Sequence, residues 1–221
     1  MTMRIRMTTA LACLLASGCS SMGYKAQMPD VSANCVDSLP AIAVSGTPLR
    51  FPAEGKKPDA KYLEFAQVAR CYRSNDGAPR PVALYRLDAI TPPAEVDVSV
   101  SLSTGGTFAA AVEVLDADFQ PVRRYGFSDF VRRGSLYSLT LFLNPSGRAP
   151  AYLMLTPDDG QVGKSDTAVG SFTNVVSAPV AATGAVFMYS TGTETRTVSP
   201  FLQGGKVLVV ARPQSSELPK L

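Results

Sequence analysis

From Pro81 onward one device recurs along the sequence: short apolar runs with a period of two, separated by turn residues. Val96, Val98, Val100 and Leu102 alternate with Asp97, Ser99, Ser101 and Ser103. Successive side chains of a strand point to opposite faces, so this stretch is a strand with one face in a core and the other at the surface. A helix would scatter the same valines around its circumference. Thr104-Gly105-Gly106 follows, and Phe108 to Leu115 resumes with the β-branched Val112 and Val114, which predicts a hairpin. In Val82 to Leu87, Val82 and Leu84 fall on one face of the run with Arg86, and Ala83, Tyr85 and Leu87 on the other.

The pattern continues toward the C-terminus. Asp116-Ala117-Asp118 reads as a turn before Phe119 to Arg124. Ser128 is placed to cap one helical turn running to Arg133 and stopped by Gly134. Leu139, Leu141 and Leu143 share one face of Tyr137 to Leu143, and Asn144-Pro145-Ser146-Gly147 turns the chain into an apolar run, Ala151 to Thr156. After Asp158-Asp159-Gly160, residues 160–179 are rich in Gly, Ser and Thr and read as a long loop of undefined role. Ala185 to Ser190 and Lys206 to Arg212 are two further runs. Nearer the N-terminus, Leu49 to Phe51 is a short extended candidate. Residues 59–72 are ambiguous: Tyr62, Phe65, Ala66 and Ala69 share a helical face capped by Asp59, while Leu63, Phe65 and Tyr72 fit a strand less regularly. Many short strands with turns between them predict a mainly β chain, an antiparallel, jelly-roll-like β-sandwich with one short helical turn near 128–133.

The first residues carry an address. Arg4 and Arg6 precede an apolar stretch, Ala10 to Ala16, and Ala16-Ser17-Gly18 leads to Cys19. The stretch is too short to span a bilayer, which takes ~20 apolar residues. A charged start, an apolar middle and a small-residue end are those of an export signal. A cysteine directly after small residues resembles the lipobox of bacterial lipoproteins, in which the cysteine becomes the acylated N-terminus. Ala16 stands where that motif usually has leucine, a known variant. Ser20, rather than Asp, follows the cysteine. By resemblance to Gram-negative sorting rules, that predicts the outer membrane, periplasmic face. The expected layout is a signal peptide over 1–18, a flexible tether over 19–34, one sandwich domain over 35–212 and a polar tail over 213–221.

Loss of Arg4 and Arg6 with the signal takes the formal charge of +3 down to +1. A near-neutral exported chain offers no electrostatic case for nucleic acid. Of the four cysteines, Cys13 leaves with the signal and Cys19 is acylated, so Cys35 and Cys71 remain. Two thiols in an oxidising compartment are expected to form a disulfide. A metal site is the alternative, but two cysteines without a single histidine make a poor one.

The lack of histidine also removes Ser-His-Asp and Cys-His schemes. Lys164-Ser165 leaves Ser-Lys chemistry conceivable, though in a segment read as loop. Gly163-Lys164-Ser165 fails as a phosphate loop, because Asp158 stands where its earlier glycine belongs. Asp116 with Asp118 reads better as a turn cluster than as a hard-cation site. No enzyme, metal or cofactor is expected. The most function-like surface feature is the pair of arginine doublets, Arg123-Arg124 and Arg132-Arg133, bracketing Tyr125, Phe127 and Phe130. Either the arginines meet an anionic lipid, lipopolysaccharide or acidic protein, or the aromatics face the core and the arginines simply face water.

The order and spacing of Cys35-Val-Asp-Ser-Leu-Pro, Pro81-Val-Ala-Leu-Tyr-Arg-Leu, Val96-Asp-Val-Ser-Val-Ser-Leu, Val112-Glu-Val-Leu-Asp-Ala-Asp-Phe-Gln-Pro and Phe142-Leu-Asn-Pro resemble the MalM family over residues 35–156. These are periplasmic and lipoprotein relatives of the maltose operon protein. The resemblance implies a β-sandwich without catalytic residues, and a mostly extended course for Tyr62 to Tyr72. The 96–115 hairpin also looks like the bacterial pre-peptidase C-terminal domain. The leading expectation is a non-enzymatic, lipid-anchored accessory protein, its acyl chains in the membrane and its sandwich on an envelope protein partner in an assembly or uptake system. The alternative is a carbohydrate-binding sandwich tied to saccharide uptake. Against it, the chain has no Trp, and its exposed tyrosine candidates, Tyr24, Tyr125 and Tyr137, are not grouped in sequence.

Overall fold

The computed structural model describes residues 23–32, 34–53, 56–58, 60–74, 76–144, 148–180 and 185–214. Cys19, the signal peptide, Asp59 and most of the C-terminal tail lie outside them. The body is a β-sandwich. One sheet runs in the order β1 (Thr47–Arg50), β4 (Pro79–Ala89), β11 (Tyr152–Pro157), β7 (Ala110–Leu115), β8 (Pro121–Tyr125), with β3 (Arg70–Arg73) also on β4. The opposite sheet runs β2 (Leu63–Glu64), β14 (Lys206–Pro213), β5 (Ala94–Ser101), β10 (Leu136–Leu143), β9 (Val131–Arg133). Pairing is antiparallel apart from β1 on β4 and the short β6 (Thr107–Phe108) on the end of β13 (Ala185–Leu202).

The alternation on β5 does what its period requires. Ala94, Val96, Val98 and Val100 are fully buried, and Glu95, Asp97, Ser99 and Ser101 occupy the half-exposed face. Opposite them, Ala83, Tyr85 and Leu87 of β4, Val112 and Val114 of β7, and Leu153 and Leu155 of β11 close the interior. The other face of β4 is covered as well: Val82, Leu84 and Leu115 pack with Ile42 and Ala43 of a short helix, α1 (Leu39–Ala43). That second cluster explains why five consecutive residues of β4, from Pro81 to Tyr85, are buried.

Five expectations need correction. β5 and β7 do not form a hairpin: β5 pairs with β10 and β14, and β7 with β11 and β8, in the opposite sheet. The Thr-Gly-Gly turn carries the chain from one sheet to the other, and Ser103 N–H donates to Thr107 Oγ1 across it at 3.1 Å. A glycine turn marks a reversal, and periodicity alone does not say which strand the reversal will join. The helical turn near 128–133 is a shorter 3₁₀ turn, Phe127–Asp129, with Gly126 and not Ser128 before it; Asp129 accepts the Gly126 N–H at 2.8 Å. Val131–Arg133 is a strand, because it completes the edge of β10.

Residues 60–73 are neither all strand nor one helix. β2 gives way to a single helical turn, α2 (Phe65–Val68), and then β3, so that Phe65 enters the core and stacks on Phe108 with ring centroids 4.0 Å apart. The supposed loop over 160–179 is, from Ser165, the strand β12 (Ser165–Val180), paired residue for residue with β13. Finally, residues 24–28, expected to belong to a tether, lie against the body. Ala26 is buried and its N–H donates to Gly105 O at 2.9 Å, and Tyr24 Oη donates to Glu64 at 3.0 Å.

Candidate functional site

β8 and β9 are the last strands of the two opposed sheets, and the Gly126–Phe130 connection joins them directly. Arg123 and Arg124 sit on β8; Arg132 and Arg133 sit on β9. The four arginines thus follow one lateral seam of the sandwich, each pair on a strand whose outer backbone edge pairs with no other described strand. The aromatics between them turn inward. Phe127 and Phe130 are buried, Phe127 meets Phe201 edge to face at 4.9 Å, and Tyr125 is half-buried against the core.

The arginines are not equivalent. Arg123 reaches across the seam and donates to the Phe142 carbonyl on β10 at 3.2 Å. Arg124 pairs with Glu113 at 3.3 Å, and Arg132 with Asp166 at 2.9 Å. Arg133 forms no ion pair among the described residues. Asp166 also accepts from Tyr137 Oη at 2.8 Å. Partial burial and that hydrogen bond push the Tyr137 phenol up to about 12. Asp158 is the second carboxylate to matter: one oxygen accepts Phe127 N–H at 2.8 Å and the other Gly160 N–H at 3.0 Å, tying the 3₁₀ turn to the end of β11. Sequence reading gave Asp158 only a turn and placed Asp166 in a loop. Recognising that Asp166 starts a strand would have put it within reach of β9 and β10.

Beneath Arg123 the seam opens into a cleft of about 220 Å³ between the sheets, walled by Val114, Val122, Tyr125 and Leu141 and flanked by Arg148. Arg148 is held by Asp116 at 3.5 Å. A broader trough of about 800 Å³ lies on the outer face of the β4 sheet, bordered by Tyr72, Arg80, Glu113, Phe119 and Arg124. There Arg80 bridges Asp76 and Asp159, at 3.1 and 3.2 Å, and Phe119 stacks on Tyr152 at 4.6 Å. The Ser74 hydroxyl, the Ala78 N–H and Arg80 hold the Asp76 carboxyl below the usual carboxylate range. Asp116 accepts the N–H groups of Asp118 and Gln120, the turn role expected for it. Lys164 and Ser165 are both exposed.

Cys35 and Cys71 form a disulfide, with Cα atoms 4.4 Å apart. It joins the segment entering α1 to β3, where Val36 already bridges to Tyr72. Tyr24, Tyr125 and Tyr137 are all half-buried and engaged with the body, so none stands out as a free platform. Among the described residues no three His, Cys, Asp or Glu side chains assemble as metal ligands, and no helix is long and apolar enough to cross a membrane. No protein-family model matches the chain, no curated protein matches it, and no solved structure does. Fold and site together define a β-sandwich with a disulfide, an arginine-lined seam and a long β-ribbon.

Proposed function

We propose that the chain is a non-enzymatic accessory lipoprotein, held at the periplasmic face of the outer membrane through an acylated Cys19, whose sandwich docks an acidic envelope protein along the β8–β9 seam. One observation carries the docking surface: two terminal strands whose outer edges pair with no other described strand meet there and place Arg123, Arg124, Arg132 and Arg133 along one lateral seam. Exposed edges invite strand addition, and arginine on such edges deters self-pairing while favouring carboxylate-bearing partners. The resemblance to the MalM family agrees with the lipoprotein and periplasmic parts of this reading.

A photo-crosslinker at Val131, 57% exposed on β9, tests the surface in intact cells. A discrete crosslinked partner, lost when the four arginines become serine, is expected; an adduct that survives the substitution removes the seam from the reading. The mass of the mature N-terminus checks the anchor directly. The outer trough supports a second reading, saccharide binding, because it is wide, polar at its rim and carries Phe119 and Tyr72. Thermal stabilisation by an oligosaccharide, lost in Arg80→Ala, would favour it, since a ligand held by the native state raises stability.

A further inference from the structure

The sandwich has a second lateral seam, on the side away from β8 and β9. There β1 ends one sheet, and in the other β2 covers β14 only at Lys206 and Val207. From Leu208 to Ala211 the outer edge of β14 pairs with no described strand. Between β1 and β14 the sheets leave a cavity of about 420 Å³, lined by Leu49, Phe51, Leu63, Tyr85 and Val209 among others. That volume lies within the ~300–1,000 Å³ of small-ligand pockets, which are likewise apolar with a few polar groups.

Three features of the cavity point to an occupant. Val209 stands opposite Val98 in the ladder and so shares its inward face. Val98 and the neighbouring inward residues of β14, Val207 and Ala211, are fully buried, yet Val209 is only half-buried: the core is open above it. Tyr85 is 5% exposed, lines the cavity, and its hydroxyl has no hydrogen-bond partner among the described residues. Buried hydroxyls are normally bonded, and burial alone pushes this phenol up to about 12. Arg50 and Lys61 are exposed at the rim, form no ion pair among the described residues, and share the lining with no described carboxylate.

The width of the opening selects the kind of occupant. Cα atoms of β1 and β14 approach within 8 Å of one another. A peptide strand laddered to both edges would need roughly 9.5 Å, twice the spacing of neighbouring strands. A single hydrocarbon chain needs no backbone partner and is slimmer. We propose that this cavity binds a free, single-chain anionic amphiphile. Its hydrocarbon body covers Val209, its head meets Arg50 and Lys61, and Tyr85 Oη donates to one of its oxygens. The site is separate from the β8–β9 seam and stands whether or not that seam docks a protein.

The test titrates laurate, below its micelle-forming concentration, into the full chain carrying Cys19→Ser, which cannot be acylated and is handled without detergent. Calorimetry is expected to show saturable binding of one laurate per chain, tighter than binding of monolaurin, its uncharged glycerol ester. Arg50→Gln with Lys61→Gln should weaken laurate roughly three- to tenfold and leave monolaurin unchanged. Tyr85→Phe should weaken both roughly threefold. Val209→Phe, which fills the cavity, should weaken both more than tenfold without lowering the melting temperature. No saturable binding, equal affinity for the two ligands, or laurate binding unchanged in R50Q/K61Q overturns the proposal. So does uptake from phosphatidylglycerol vesicles without binding of free laurate. Arg50 and Lys61 are exposed, so their variant decides the matter even if Val209→Phe fails to fold.

Discussion

β4 and the β12–β13 ribbon are both long, yet they are held in opposite ways. β4 has strands along both edges and side chains buried on both faces, against the sandwich interior and against α1. Beyond its root the ribbon pairs with no other described strand. The contrast separates two uses of the same local structure: in the body strands lie within multi-stranded sheets, and in the ribbon two strands pair with each other. Stability should therefore be concentrated in the body, with the ribbon contributing to reach.

The largest effect should come from Phe65, fully buried and stacked on Phe108. Phe65→Ala is expected to cost ~3–5 kcal/mol in chemical denaturation; a loss below ~1 kcal/mol would mean that α2 is not part of the core. Next is the disulfide. Replacing Cys35 and Cys71 together by Ala should cost ~2–4 kcal/mol, read as a lower urea midpoint that reductant no longer shifts. A third outcome concerns the join between body and ribbon, where Tyr137 donates to Asp166. Its phenol, pushed up to about 12, is held neutral in the folded chain. Stability from that group is present in full below the unfolded value of ~10 and is lost as pH rises through about 12. Tyr137→Phe should thus be less stable than the parent at pH 8, and the gap should narrow toward pH 12; a gap constant with pH would contradict the coupling. The smallest effect should follow deletion of residues 167–198 with a short turn in their place. The melting temperature is expected to stay within a few degrees, because the deleted rows pair with each other and with no other described strand. A fall of more than ~10 °C would erase the distinction between the two regions.

The same contrast governs what could be read beforehand. β5 and β10 were legible because burial of one face imposes alternation, as in Val96–Val98–Val100 and Leu139–Leu141–Leu143. β12 was not, because its Gly, Ser and Thr show no regular apolar alternation and look like loop. The disulfide needed only counting. The arginine doublets were visible, but their division between opposite sheets depends on pairing partners, which periodicity does not specify. Nor could the capture of Arg132 by Asp166 be seen while Asp166 was assigned to a loop. The Gly105–Gly106 turn was recognised and its partner strand mistaken, for the same reason.

The packing of residues 24–28 on Gly105, Gly106 and Gly204 also has a mechanical meaning. Tension on the N-terminus would first load this segment, and through it two turns drawn from distant parts of the sequence. Tyr24, bonded to Glu64 with the Lys206 ammonium 4.4 Å from its ring centre, is the first side chain in that line of force. Such a pull would reach the root of the ribbon before it reached the hydrophobic interior, so under the proposed anchoring at Cys19 the docked segment would serve as a strain relief between anchor and fold.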